Sequence, residues 1–123
     1  MKNIRLFVFD FDGTLVDSKH DIAESVNHTL ADLGYPQLPE ETIISYIGDG
    51  VQTLLTRALA PHPFDDIPKA QDIFTKHYEK HLLDRTEFYP NCRETLNFFS
   101  QKKYAIFSNK PTRFIKSILT GLD

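Results

Sequence analysis

Two aspartates, Asp10 and Asp12, stand at the end of the apolar run from Ile4 to Phe9, just before Gly13-Thr14. An aspartate at the carboxyl end of a buried strand points into the crevice where open α/β sheets bind ligands. A second carboxylate two residues on leans from the same side. Close carboxylates repel unless a cation or a shared proton compensates, so the pair implies either a hard metal such as Mg²⁺ or an acid/base dyad. A calcium loop is excluded, because it needs glycine and glutamate where this chain has Leu15 and Asp21.

The elements that position this pair are legible from hydrophobic periodicity. Ile4 to Phe9 reads as a buried strand. From Ser18 the period changes: Ile22, Val26, Leu30 and Leu33 share a helical face, with Ser18 as the expected N-cap and Gly34 as the expected stop. Tyr35 to Pro39 is a proline-bounded turn, and Glu40-Glu41 opens a short helix with its acids in the favourable first turn. Gly48-Asp49-Gly50 breaks that helix. Val51, Leu54, Leu55, Ala58 and Leu59 repeat at helical spacing up to Pro61, and Ile67, Ala70, Ile73, Phe74, Tyr78 and Leu82 do so between Asp66 and Leu83. Phe88-Tyr89-Pro90 closes this group. Asn91 to Ser100 reads as a helix, Tyr104 to Phe107 as a second buried strand, and Pro111 starts a helix carrying Phe114, Ile115, Ile118 and Leu119, followed by Gly121.

Two strands joined through a helix begin a right-handed parallel sheet. The expected fold is therefore α/β, with a core formed by residues 1–17 and 89–123 and an inserted α-helical cap over residues 18–88.

The chain has 123 residues, 41% of them hydrophobic, which suffices for a buried core. Its net charge of −3, without a long block of like charges, argues against nucleic-acid or membrane partners. The apolar run at the N-terminus is too short for a signal peptide or a membrane span. The single cysteine, Cys92, has no internal disulfide partner and reads as a small core residue. The cytoplasm is the expected compartment.

Asp10-Phe-Asp-Gly-Thr14 after a strand, and Ser108 at the end of the next core strand, resemble the first two motifs of the haloacid dehalogenase superfamily. Leu15-Val-Asp-Ser18, Leu33-Gly-Tyr-Pro36, Ile47-Gly-Asp-Gly50, Leu55-Thr-Arg-Ala-Leu59 and Ser108-Asn-Lys-Pro111 are similar to its phosphoglycolate-phosphatase-like branch, and the resemblance covers essentially the whole chain. The resemblance implies a Rossmann-like core, a Mg²⁺ cofactor and hydrolysis of a small phosphorylated metabolite such as 2-phosphoglycolate. It implies that Asp10 attacks phosphorus to form an aspartyl phosphate, and that Asp12 protonates the leaving alcohol and then activates water. Asp10 and Asp12 are the implied metal residues. Gly13, Thr14, Ser108, Asn109 and Lys110 are the implied phosphate-binding residues, with Gly13 allowing the tight turn.

The family completes its site with a later lysine and later acidic residues, which do not follow Ser108 within this sequence. The expectation is therefore an N-terminal part of a longer phosphatase, whose two strands leave an open edge suited to self-association. Lys110 either lends positive charge to phosphate or is a solvated loop residue. Two other readings stay open: a non-catalytic remnant acting as a binding or oligomerising module, and the same fold running phosphomutase or dehalogenase chemistry.

Other candidates read as structural. His77, His81 and Asp84 have ligand-like spacing but no evident fourth partner, so they are taken as core or surface residues. His20, His28 and His62 show no constellation. Asp65-Asp66 favours a helix start. Ile47 to Gly50 is either an anion site at a helix N-terminus or a tight bend, and Arg57 either serves the site or pairs with a carboxylate of the insertion.

Overall fold

The computed structural model describes residues 6–10, 16–90, 103–107, 110 and 112–122, with the backbone alone for 6–10, 103–107 and 112. Strand β1 (Leu6–Asp10) pairs in parallel with β4 (Lys103–Phe107), in a register that runs from Leu6 opposite Lys103 to Asp10 opposite Phe107. A parallel pair needs a long crossover. Here the intervening chain carries helices α1 (Lys19–Asp32), α2 (Glu40–Ser45), α3 (Val51–Leu59) and α4 (Ile67–His81). Helix α5 (Thr112–Leu122) follows β4. The architecture is a partial Rossmann-like core with a helical insertion, as the resemblance implies. The helix expected over Asn91 to Ser100, with Cys92, lies outside the described residues.

One element has no counterpart in the periodicity. β2 (Val16–Asp17) pairs antiparallel with β3 (Glu87–Phe88), Val16 opposite Phe88 and Asp17 opposite Glu87. This two-rung ribbon brings the outgoing and returning chains of the helical insertion side by side. Strands of two residues carry no readable alternation, so periodicity could not reveal them.

The core forms where the helical stripes meet. Ile22, Ala23, Val26 and Leu30 of α1 pack with Ile43, with Leu54, Leu55, Ala58 and Leu59 of α3, and with Ala70, Phe74 and Tyr78 of α4. Each large apolar side chain buried this way contributes about 1.5–3 kcal/mol. Phe114 and Ile118 of α5 join the same cluster, and the Phe114 ring stands edge-on to Tyr78 at 5.3 Å. Tyr78 in turn stacks on Phe74 at 5.5 Å. Arg113 pairs with Glu79 on the rim of this contact.

The helix ends follow local rules, with two departures. Gly34, at φ 84°, closes α1: its N–H donates to Ala31 O at 3.0 Å and that of Tyr35 to Leu30 O at 2.9 Å, the paired bonds of a Schellman stop. Asp66 caps α4 by accepting from the Lys69 N–H at 3.2 Å, with Pro68 in the first turn. Ser18 holds the N-cap position of α1, but its hydroxyl makes no capping hydrogen bond and the side chain is buried. Its carbonyl accepts the Ile22 N–H at 3.1 Å, so the helix starts on backbone geometry there. Gly121 does not stop α5, which runs through it to Leu122, because a glycine inside a helix only weakens it. The Tyr35–Pro39 turn is held by Asn27, whose amide donates to Leu38 O at 2.9 Å and whose oxygen accepts the Leu38 N–H at 2.8 Å.

Candidate active site at the strand ends

The parallel register decides where the motif residues lie. Asp10 is the last residue of β1 and sits opposite Phe107, the last residue of β4. Both strands therefore end at the same sheet edge. Asp12 and Ser108 each follow one of those ends closely in sequence, and both lie outside the described residues. The Asp10 side chain and the whole of Asp12, Gly13, Thr14, Ser108 and Asn109 lie outside the described residues. The carboxylate of Asp10 is a hard oxygen donor of the kind that Mg²⁺ takes.

Lys110 is described, and its surroundings are specific. Its Nζ donates to the Tyr78 hydroxyl at 2.5 Å and lies 4.3 Å from the centre of that ring. The residue is half-buried. The loop that follows β4 is thereby tied to α4, so helix and loop hold each other in place. Sequence reasoning could not see this bond, which joins residues far apart in the chain.

A second group of polar residues stabilises the base of the insertion. Asp21 is fully buried in the first turn of α1. Its carboxylate accepts the Arg85 N–H at 2.8 and 3.0 Å and the Thr86 hydroxyl at 2.7 Å. A buried carboxylate is tolerated because three donor contacts replace its water. Oxygens of Asp21, Glu24 and Asp84 gather within 4.8 Å of one another. Those of Asp21 are already engaged by protein donors, so this trio is a structural knot beside the ribbon.

Elsewhere the insertion resolves two open questions. Arg57 donates to Asp49 Oδ2 at 2.8 Å and to Tyr46 O at 3.0 Å. With Gly48 and Gly50 at φ 132° and 89°, the segment is a tight bend stapled by Arg57. Glu40 bonds His20 and lies 3.5 Å from Arg85. The His20 hydrogen bond, helped by the Arg85 charge, holds the Glu40 carboxyl below its ordinary value.

Comparisons with known proteins identify the family and the fold. Residues 7–123 match the family model of haloacid dehalogenase-like hydrolases. A phosphoglycolate phosphatase of Haemophilus influenzae is 37% identical over 131 aligned positions, covering 97% of this chain and 58% of its own length. That of Pasteurella multocida is 36% identical, covering all of this chain and 60% of its own length. The crystal structure of a predicted phosphoglycolate phosphatase from Haemophilus somnus 129pt superposes with a TM-score of 0.88 at 33% identity, over 99% of this chain and 59% of that one. The chain thus spans a little over half the length of the relatives it matches. Among the described residues no helix is long and apolar enough to cross a membrane. By sequence and by fold, this chain belongs to the haloacid dehalogenase-like hydrolase family.

Proposed function

We propose that this chain carries the nucleophile-bearing part of a Mg²⁺-dependent phosphomonoesterase acting on a small phosphorylated metabolite such as 2-phosphoglycolate. The observation that carries the reading is the parallel pairing of β1 with β4, which ends both strands at one edge with Asp10 opposite Phe107. Relatives named phosphoglycolate phosphatase support the substrate class.

On this reading Asp10 attacks phosphorus in line and releases the alcohol, forming an aspartyl phosphate, while Asp12 gives the leaving oxygen its proton. Asp12 then takes a proton from the water that hydrolyses the acyl phosphate. Ser108, Asn109 and Thr14 hold the phosphoryl oxygens by hydrogen bonds. Lys110 supplies positive charge from the loop that Tyr78 steadies. Asp10 and Asp12 would hold Mg²⁺, which would supply positive charge against the transferring group.

Residues 18–88 act as a cap over this edge, hinged where the β2–β3 ribbon joins insertion to core. Among the described residues β1 and β4 each keep one unpaired edge. Further strands of the family fold, or a second copy of the chain, would pair there. With its single cysteine the chain suits a reducing cytoplasm.

The test is Mg²⁺-dependent phosphate release from 2-phosphoglycolate and from an aryl phosphate, with Asp10→Asn as control. Turnover lost in the variant and with chelator supports the reading. A folded sample, extended to the length of its relatives, with no turnover above Asp10→Asn overturns it.

A further inference from the structure

Among the described residues Tyr78 is the largest side chain that is fully buried. Phe74, one turn earlier on α4, stacks on its ring at 5.5 Å, and Phe114 of α5 meets it edge-on at 5.3 Å. Two such contacts on a stiff ring fix where its hydroxyl stands. A buried hydroxyl requires a hydrogen-bond partner, and the Lys110 ammonium donates to it at 2.5 Å. Nζ also lies 4.3 Å from the ring centre, within reach of the ring's π charge. A lysine stem is flexible and its ammonium strongly hydrated, so this charge-assisted bond localises a group that would otherwise range through solvent.

The bond joins two parts of the fold. Tyr78 belongs to α4 of the insertion, whereas Lys110 follows β4. Lys110 is three residues beyond Phe107, the strand end opposite Asp10, so its Cα lies within about 11 Å of that end however the chain runs. On the far side the segment is pinned by α5, where Arg113 pairs with Glu79 and stands 4.5 Å from the Phe114 ring. The insertion therefore grips a cation on a segment tethered to the strand edge.

We propose that Tyr78 is a positioning residue, an inference that rests on the phosphatase reading above: it holds the Lys110 ammonium where a phosphoryl group at the strand edge meets it. A side chain of the insertion thereby sets the affinity of the core for phosphate. An ammonium carries three N–H donors, so a bond to Tyr78 is compatible with another to a phosphoryl oxygen. The hydroxyl is neutral and orients the cation without cancelling its charge, as a carboxylate in its place would. Contact with the phosphoryl group is made in both ground and transition state, so its loss appears in KM more than in kcat. It is also indifferent to the leaving alcohol, because every phosphomonoester presents the same phosphoryl oxygens.

Steady-state turnover of the chain extended to the length of its relatives, with 2-phosphoglycolate and with an aryl phosphate, tests the assignment. Tyr78→Phe keeps the ring and removes the hydroxyl. It should raise KM for both substrates by roughly fivefold, with kcat within about twofold of the parent. Inorganic phosphate should inhibit the variant more weakly by the same factor. Lys110→Met should raise KM further, and adding Tyr78→Phe to it should change nothing more, a coupling that lost packing alone would not give. Circular dichroism checks that the variants are folded. If Tyr78→Phe is not, the Lys110 ammonium resonance of the parent, assigned by its loss in Lys110→Arg, carries the test, since it should shift on saturation with inorganic phosphate. An unmoved resonance, an unmoved KM in folded Tyr78→Phe, a rise confined to 2-phosphoglycolate, or a full additional rise in the Lys110→Met background would each overturn the role of Tyr78 alone. A parent without turnover would overturn the phosphatase reading, and this role with it.

Discussion

The helical insertion and the strand edge divide the labour of this molecule unequally. The insertion buries apolar stripes from α1, α3 and α4 against one another and takes Phe114 and Ile118 of α5 into the same cluster. The sheet among the described residues is two strands joined by one parallel ladder. A pair of strands is marginal by itself, whereas interlocking helices supply their own hydrophobic stabilisation. The comparison teaches that the described helices carry a core of their own, whereas Asp10 ends a strand whose described partner is β4 alone. Asp21 ties the two ends of the insertion together through Arg85 and Thr86, and Tyr78 accepts from Lys110 in the segment after β4.

The sharpest way to break this division is to strike each region separately. Phe74→Ala removes a ring that is 1% exposed at the centre of the insertion. It should cost about 3–5 kcal/mol, read by denaturant unfolding. Asp10→Asn should leave that unfolding curve nearly in place while turnover falls by about a thousandfold or more. If Asp10→Asn destabilised the fold as much as Phe74→Ala, the division would be wrong.

A smaller effect is expected at the junction. Asp21→Ala leaves the Arg85 N–H and the Thr86 hydroxyl without their acceptor, and should cost about 2–3 kcal/mol by thermal or chemical melting. Hydrogen exchange should speed up first at Arg85 to Phe88, since the ribbon loses its anchor there. Uniform acceleration across α1 and α4 would mean that Asp21 supports the whole insertion.

Ser25 offers a change of opposite sign. It is fully buried in α1, and among the described residues its hydroxyl has no hydrogen-bond partner. Ser25→Ala removes that unmet group and raises helix propensity, so stability should increase by roughly 1 kcal/mol. A loss measured in the same unfolding assay would show that the hydroxyl is satisfied in solution.

The mildest test is acid. The His20 hydrogen bond and the Arg85 charge lower the Glu40 carboxyl from its ordinary value of 4.5. A depressed carboxyl contributes stability that is present above its unfolded-state value and lost as pH falls through the folded one. Glu40 is largely solvent-facing, so screening keeps the contribution small. Between pH 6 and pH 3 the parent should therefore lose slightly more stability than Glu40→Gln, and parallel curves would assign the acid sensitivity to other groups.

Much of this was written locally. Ile22, Val26 and Leu30, and likewise Ala70, Phe74 and Tyr78, repeat at helical spacing and are buried as that spacing implies. Gly34 and Asp66 mark helix ends because a positive φ and a short carboxylate act within one turn of chain. Asp10-Phe-Asp-Gly-Thr14 carried the family resemblance in five consecutive residues. Ser18 shows the limit of such rules: the residue type was right for a cap, and burial took its side chain elsewhere.

What tertiary structure alone decided involves partners far apart in the chain. Val16 meets Phe88, Asp21 meets Thr86, Lys110 meets Tyr78, and His28 meets His77 and His81. None of these pairs is implied by residue type or local period. Helical and strand periods record only which face of an element is apolar, and they hold no information about which other face it will meet. That choice is made when the stripes of α1, α3, α4 and α5 compete to bury one another, and the polar contacts form wherever that packing leaves donors beside acceptors.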